Sequence, residues 1–575
     1  MRSSISAFMG STSRKLKAFR NNCLGSVTQI TAVATLPMLL AAGAAIDTIR
    51  INREQVAFDA AVDSAALAVA ADDRASLQGL SDAQVTARIA ELEEFARKYL
   101  AENYTPQYGS SQEMPVDIEI TGQEIDLTAS HSFPTTIMSL TGIDEINLTS
   151  SSQIKKAMRP IELVMVMDTT GSMATDNKIT GAKNAAKSLL DTIYAGSVAS
   201  VPESEFIRVG LVPFAAGVRL DKNAADFDLG WIDTTGVNPL SKLHFNNAAW
   251  HNYMAWGQMK TSSTTFLQWN GCVEARIRGD EASGEDYNAN DAAPSLFTPA
   301  TLFPAYFGMD EPAVSGYGYN NNYISGSGTP NETTGLASTS TSYTNHLNRQ
   351  ENTAKYVNKV ITAENMTSEN AGPWRGCAKS KVVPMTHKRS DIVDGINAMT
   401  AAGNTLIAEG LAWGMRVVSP TEPFTEVQGT ASIPAATISP YNDVRWMKTV
   451  VLMTDGDNQL SAGTTTLNGT VNSAYGRGKE PTGSGYNRFG TTSNSSIMTA
   501  LDDALIDVCN KIKANNVELY VTSFGDGVSS ATRARLQSCA TDADNYQHAT
   551  SSADLQAFFN HIGEETLNKA IYVSK

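Results

Sequence analysis

The sequence predicts an α/β protein in which a doubly wound, mostly parallel sheet carrying a large insertion follows a transmembrane helix and a small α+β stalk. Three observations predict it. Residues 163–167 and 448–454 read as strands buried on both faces, and each runs straight into oxygen-bearing side chains, Asp168 in one case and Asp455 in the other. Helical periods alternate with such runs through the C-terminal two thirds of the chain. Finally, residues 23–46 form an uncharged stretch of 24 residues behind a basic N-terminus.

With 575 residues and a formal charge of −15, the chain exceeds one core, and it lacks the basic surface that a nucleic-acid partner requires. Residues 1–22 hold five basic and no acidic side chains, which leaves −20 for the remainder. That asymmetry orients the span: 1–22 is expected in the cytoplasm, 23–46 as a single transmembrane helix in the inner membrane, and the rest in the periplasm or outside the cell. A cleaved signal peptide or a buried helix is the alternative for 23–46, which contains Ser26, Thr28, Gln29, Thr31 and Pro37.

Residues 47–157 are expected as a stalk. Residues 47–103 are helix-forming, with alanines at 60, 61, 65, 66, 68, 70 and 71 giving a small-residue surface. Such a surface serves either close approach of another helix or packing on its own domain. Residues 116–120 and 125–129 alternate apolar and polar, as half-buried strands do.

Residues 159–570 then carry the α/β pattern. After the strand at 163–167 comes a helical period through Ile179, Ala182, Ala186, Leu189, Leu190 and Ile193. Further strands are expected at 206–214, 381–385, 448–454, 517–524 and 546–549, with helices at 391–399, 496–514, 530–538 and 553–567. Residues 225–378 lack a steady period, hold five of the seven tryptophans and become rich in Gly, Ser, Thr and Asn around 315–354. A structureless loop of that length is improbable in a compact domain, so a folded insertion is expected, starting on the edge that carries Asp168.

Asp168, Thr170 and Ser172 lie on a tight turn around Gly171 at the carboxyl end of the first strand, where open α/β sheets bind ligands. Hydroxyls with a carboxylate suit a hard divalent cation; capping of the next helix is the plainer alternative. Thr405 opens a later helix and Asp455 ends a later buried strand. Together these segments resemble the von Willebrand factor A domain and its metal-ion-dependent adhesion site. By position, the resemblance implies that Asp168, Thr170, Ser172, Thr405 and Asp455 hold Mg²⁺ or another divalent cation, with Thr170 standing where serine is usual.

The N-terminal part, through Gly25-Ser26-Val27, Gly43-Ala44-Ala45-Ile46-Asp47 and the run from Gln55 to Leu67, resembles the TadE/TadG-like proteins of Flp (Tad) pilus assembly. TadG-like members continue into an A-like domain, so the resemblance implies a role in assembling, anchoring or displaying a pilus, with pilus components or another carboxylate-presenting protein as partner. Ile30 occupies the fifth position after Gly25, where processed family members have glutamate, so cleavage is not expected.

Cys272, in Trp269-Asn270-Gly271-Cys272, and Cys377, in Trp374-Arg375-Gly376-Cys377, both sit in the insertion, while Cys509 and Cys539 bracket C-terminal helices; these are the two expected disulfides, with buried thiols the alternative. No nucleophile elbow, phosphate loop or H-E-x-x-H motif occurs, and the seven histidines are scattered. The expectation is a metal-dependent binding protein and not an enzyme. A surface adhesin unrelated to pili, or a metal-assisted hydrolase, are the competing readings.

Overall fold

The computed structural model describes residues 27–75, 77, 82–105, 114–121, 124–195, 204–224, 227–278, 286–310, 321, 323–324, 348–361, 372–460, 471–478, 488–489, 491 and 493–574. The basic segment 1–22, Cys23, Gly25 and most of the 315–354 stretch lie outside the described residues. The chain divides into two compact units, residues 1–157 with 572–575, and residues 158–571.

In the first unit α1 (Val27–Ala71) is a single helix of 45 residues, followed by α2 (Asp82–Asn103) and strands β1 (Val116–Thr121), β2 (Glu124–Pro134) and β3 (Glu145–Met158). At 1.5 Å per residue α1 is about 68 Å long, more than twice the roughly 30 Å of a bilayer's hydrocarbon core. Among the described residues, the segment Val33–Ala71 is long and apolar enough to cross a membrane, with a mean hydropathy of 1.4 over an 18-residue window. Its early apolar side chains, Ile30, Val33, Met38 and Leu39, are exposed.

The predicted boundary at Asp47 is not a break in the helix. The charge that suggested one is used in tertiary structure: the buried Asp47 carboxylate accepts the backbone N–H groups of Ile137 at 2.7 Å and Met138 at 2.8 Å, and an Arg50 guanidinium bond at 3.0 Å. Farther along α1, Phe58, Val62, Ala65, Ala66 and Val69 are buried with Leu92, Ala96 and Leu100 of α2 and with the inward side chains Ile118, Leu127 and Ala129 of the sheet. Part of the alanine surface therefore packs on its own unit, while Ala60 and Ala71 are exposed. The sheet runs β1-β2-β3 and closes on the last strand, Ile571–Ser574.

The second unit contains β4 (Ile161–Asp168), α3 (Lys178–Ala195), β5 (Ile207–Phe214), β6 (Val383–Thr386), α4 (Arg389–Ala398), α5 (Ile407–Val418) and β7 (Met447–Thr454). It ends with α6 (Asn494–Ala514), β8 (Glu518–Phe524), α7 (Ser530–Cys539), β9 (Tyr546–Ala549) and α8 (Ser552–Ala570). The sheet order is β6-β5-β4-β7-β8-β9, with every pair parallel except the antiparallel edge strand β6. This is the doubly wound class predicted.

β4 is buried along its whole length because both of its faces are covered. Leu163, Met165 and Met167 pack with Ala182, Ala186 and Leu189 of α3 and Phe558 and Phe559 of α8, while Val164 and Val166 face Leu411, Ala412 and Trp413 of α5. Helix α5 approaches closely because Gly410 and Gly414 present no side chain; a Cβ at Gly414 would lie 2.3 Å from Val166.

The insertion is built from short turns, 3₁₀ segments and two-residue strands. It shares the core of α5: Trp231, Trp250, Trp256, Trp269 and Phe303 belong to the same buried cluster as Trp413. Both disulfides are present, Cys272–Cys377 and Cys509–Cys539.

At the opposite end of the sheet from Asp168, the buried Glu162 accepts Arg208 at 2.8 Å, the Ser439 backbone at 2.9 Å and hydroxyl at 2.7 Å, and the Lys448 ammonium. Removing one partner of a buried charge cluster strands the others, at a cost of about 3–5 kcal/mol. Glu162→Ala should accordingly lower the denaturation midpoint of the second unit by an amount of that order, and Glu162→Gln by less. Denaturant titration followed by near-UV circular dichroism measures both.

Candidate metal centre

The strand order reverses about β4 and β7, and the register Met453↔Met167 places the carboxyl ends of these two neighbours side by side. Asp168 and Asp455 therefore meet, although 287 positions separate them in the chain. Both carboxylates are fully buried. Asp168 accepts the Thr170 backbone N–H at 2.8 Å on one oxygen, and the Thr454 hydroxyl at 2.7 Å on the other. Asp455 accepts the Ser172 hydroxyl at 2.6 Å on one oxygen and the Lys178 ammonium at 2.9 Å on the other.

The loop after β4 is a 3₁₀ segment, Gly171–Asn177, entered through an extended Thr170. Thr170 and Ser172 bring their hydroxyl oxygens to 3.1 Å from each other. The Gly171 N–H donates to the Gly403 carbonyl at 2.9 Å, and Ala402 N–H to Thr169 at 2.7 Å, so the loop before α5 is stitched to this one. Thr405 arrives by that route: a Cβ placed on Gly456 would lie 3.8 Å from its hydroxyl and 4.0 Å from that of Ser172. The five residues singled out in the sequence thus converge on one spot. Asp168, Thr170, Thr405 and Asp455 are buried, whereas Ser172 is exposed and forms the lip.

Burial, and next the negative charge of Asp455, push the Asp168 carboxyl up to about 6. Two buried carboxylates face the hydroxyls of Thr170, Ser172, Thr405 and Thr454 and one ammonium, a donor set that fits a hard, oxygen-seeking cation. Among the described residues no three His, Cys, Asp or Glu side chains converge to hold a metal, so a cation here depends on the hydroxyl oxygens.

The insertion adjoins the site. Gly376, next to the Cys272–Cys377 bridge, has its carbonyl 3.6 Å from a Cβ placed on Gly403, and the hairpin Val471–Ser473 and Gly476–Gly478 joins Ala216 and Ala275 through Ala474. Two partners at the site escaped the sequence reading. Thr454 looked like the end of an apolar strand, and Lys178 stands just before the helical period that begins at Ile179. A cation in the first turn of a helix, against the helix dipole, was the available signal for Lys178.

Sheet order, the loop after β4 and the two converging later segments define a von Willebrand A-like domain. The chain's N-terminal residues 25–72 match the family model described as "Putative Flp pilus-assembly TadE/G-like".

Among solved structures, the pilus adhesin SpaC from Lactobacillus rhamnosus GG is similar over 80% of this chain and 35% of that chain, with 12% identity and a TM-score of 0.30. The chain thus spans about a third of the SpaC length. The von Willebrand domain of the type V pili tip protein Mfa5 from Porphyromonas gingivalis matches over 73% of this chain and 98% of that one, with 12% identity and a TM-score of 0.28. An Arabidopsis thaliana protein described as "Putative F-box protein" is 26% identical over 117 residues, 20% of this chain and 70% of that protein.

Because Asp168 titrates near 6 in the folded protein and near 3.8 when unperturbed, the folded state holds a proton that the unfolded state releases across that window. This group's contribution to metal-free stability therefore falls as pH rises from about 4 to about 6, by on the order of 2–3 kcal/mol in all. Thermal melts in chelator across that range should show a slope in the parent protein that Asp168→Asn flattens.

Proposed function

We propose that this is a membrane-anchored, cation-dependent binding protein that acts in assembling, anchoring or displaying a Flp-type pilus. The observation that carries the reading is the convergence of Asp168, Thr170, Ser172, Thr405 and Asp455 at the carboxyl edge of the sheet, with the carboxylates recessed and Ser172 at the surface. The TadE/G-like segment supports the pilus setting, and the apolar first half of α1 supports anchoring. The basic residues of 1–22 favour a cytoplasmic N-terminus and a periplasmic or extracellular second unit.

Thr170, Ser172 and Thr405 would give hydroxyl oxygens to Mg²⁺ or a similar ion, and Asp168 and Asp455 would balance its charge. The ion supplies a positive point at which a carboxylate of a partner protein is held. The chain's own residues keep that point beside the exposed Ser172 and the insertion. Binding, not turnover, is the role this arrangement suits, because both carboxylates are occupied in holding neighbouring hydroxyl, amide and ammonium groups.

Mg²⁺ should therefore raise the thermal midpoint of the full chain, by the equivalent of about 2.7 kcal/mol at a hundred times the dissociation constant. Asp168→Ala should abolish that shift without loss of circular-dichroism signal, and capture of pilus components by the protein should become insensitive to chelator. An equal Mg²⁺ shift in the variant and the parent contradicts the site.

A further inference from the structure

Lys178 sits where the cation's charge would act. Its ammonium lies 2.9 Å from Asp455, in a pair whose side chains are 13% and 0% exposed. The local chain is shaped to put it there. Asp176 and Asn177, both with left-handed backbone (φ 51° and 55°), turn the loop so that Lys178 becomes the first residue of α3. No acidic residue occupies that first turn, so the positive end of the helix and the lysine repel each other unless a carboxylate outside the helix compensates.

The path of the side chain is equally specific. It runs under the turn after β8, where Gly525 has φ +76° and a Cβ would lie 3.0 Å from Lys178 Cε, and Gly527 lies over the ammonium. A side chain at either glycine would press on the lysine or on the Asp455 carbonyl. Lys178 is thus a lodged cation with one carboxylate partner, and that partner is a member of the five-residue site.

Resting on the cation-site reading above, we propose that Lys178 is the built-in counter-ion of the site: it neutralises Asp455 in the cation-free protein and competes with the divalent ion for that carboxylate. Without Lys178, Asp168 and Asp455 would be two adjacent buried carboxylates with no positive group in ion-pair contact among the described residues. With it, the cation-free domain keeps its fold, and cation binding has to displace or share an existing ion pair. The affinity of the site is then held below what its oxygen set alone would give, which makes the site responsive to the prevailing cation concentration instead of permanently filled.

The test is isothermal titration of the full chain in detergent with Mg²⁺ alone, and with Mn²⁺ as a second probe, for the parent, Lys178→Met and Lys178→Arg, with a thermal melt of each in chelator. Lys178→Met keeps the stem and removes the charge; it should bind the ion about tenfold more tightly or better, and its midpoint in chelator should fall. Lys178→Arg should stay close to the parent in affinity. Binding by Lys178→Met alone, with none in the parent, would also support the competition. Equal affinity in the parent and Lys178→Met overturns the counter-ion role and leaves the cation site standing. No binding by any of the three proteins overturns the cation site itself, and the counter-ion role with it.

Discussion

Everything at the carboxyl edge of the sheet follows from two aspartates forced together by strand pairing. β4 and β7 are parallel neighbours in register, each buried on both faces, and each passes directly into an acid where its apolar run stops. Neither carboxylate has water to dissolve its charge, and each raises the electrostatic cost of the other. The surrounding chain answers that problem with Thr454 and the Thr170 amide on Asp168, and with Ser172 and Lys178 on Asp455. The same answer leaves hydroxyl oxygens gathered beside excess negative charge. A divalent cation is the ligand that such a place favours.

The insertion belongs to this edge physically and not only by its position in the sequence. Its tryptophans extend the core that Trp413 of α5 begins, and the Cys272–Cys377 bridge ties its interior to its C-terminal end, where the Gly376 carbonyl lies next to the loop that delivers Thr405. The placement of the loop that carries Thr405 therefore depends in part on aromatic packing outside the sheet. At the far end of the same strands, Glu162 gathers Arg208, Ser439 and Lys448. β4 thus has a buried carboxylate near each end, one surrounded by cations and the other only partly compensated.

Much of this was legible in the residues. The apolar run from Leu163 to Met167 closing on Asp168 announces a central strand, and β4 lies inside the sheet. Cys272 with Cys377 and Cys509 with Cys539 paired as their positions suggested. What escaped the reading was tertiary. Asp47 reads as the end of an apolar span, but no local pattern shows that its carboxylate caps the turn at residues 136–138. The antiparallel direction of β6 leaves no trace in a four-residue strand. Lys178 precedes the apolar period of α3, so only its charge at the first turn of the helix distinguishes it. The insertion has no period to read, since its segments are too short to repeat and its core is borrowed from α5.

The central claim is that five residues from three separate loops form one cation site. Anomalous scattering from crystals soaked in Mn²⁺ tests it most directly. The account predicts a peak within bonding distance of the hydroxyl oxygens of Ser172 and Thr170, between Asp168 and Asp455 and beside Thr405. Strong anomalous density elsewhere on the chain with none at this position, under conditions where Mn²⁺ is bound in solution, would contradict it.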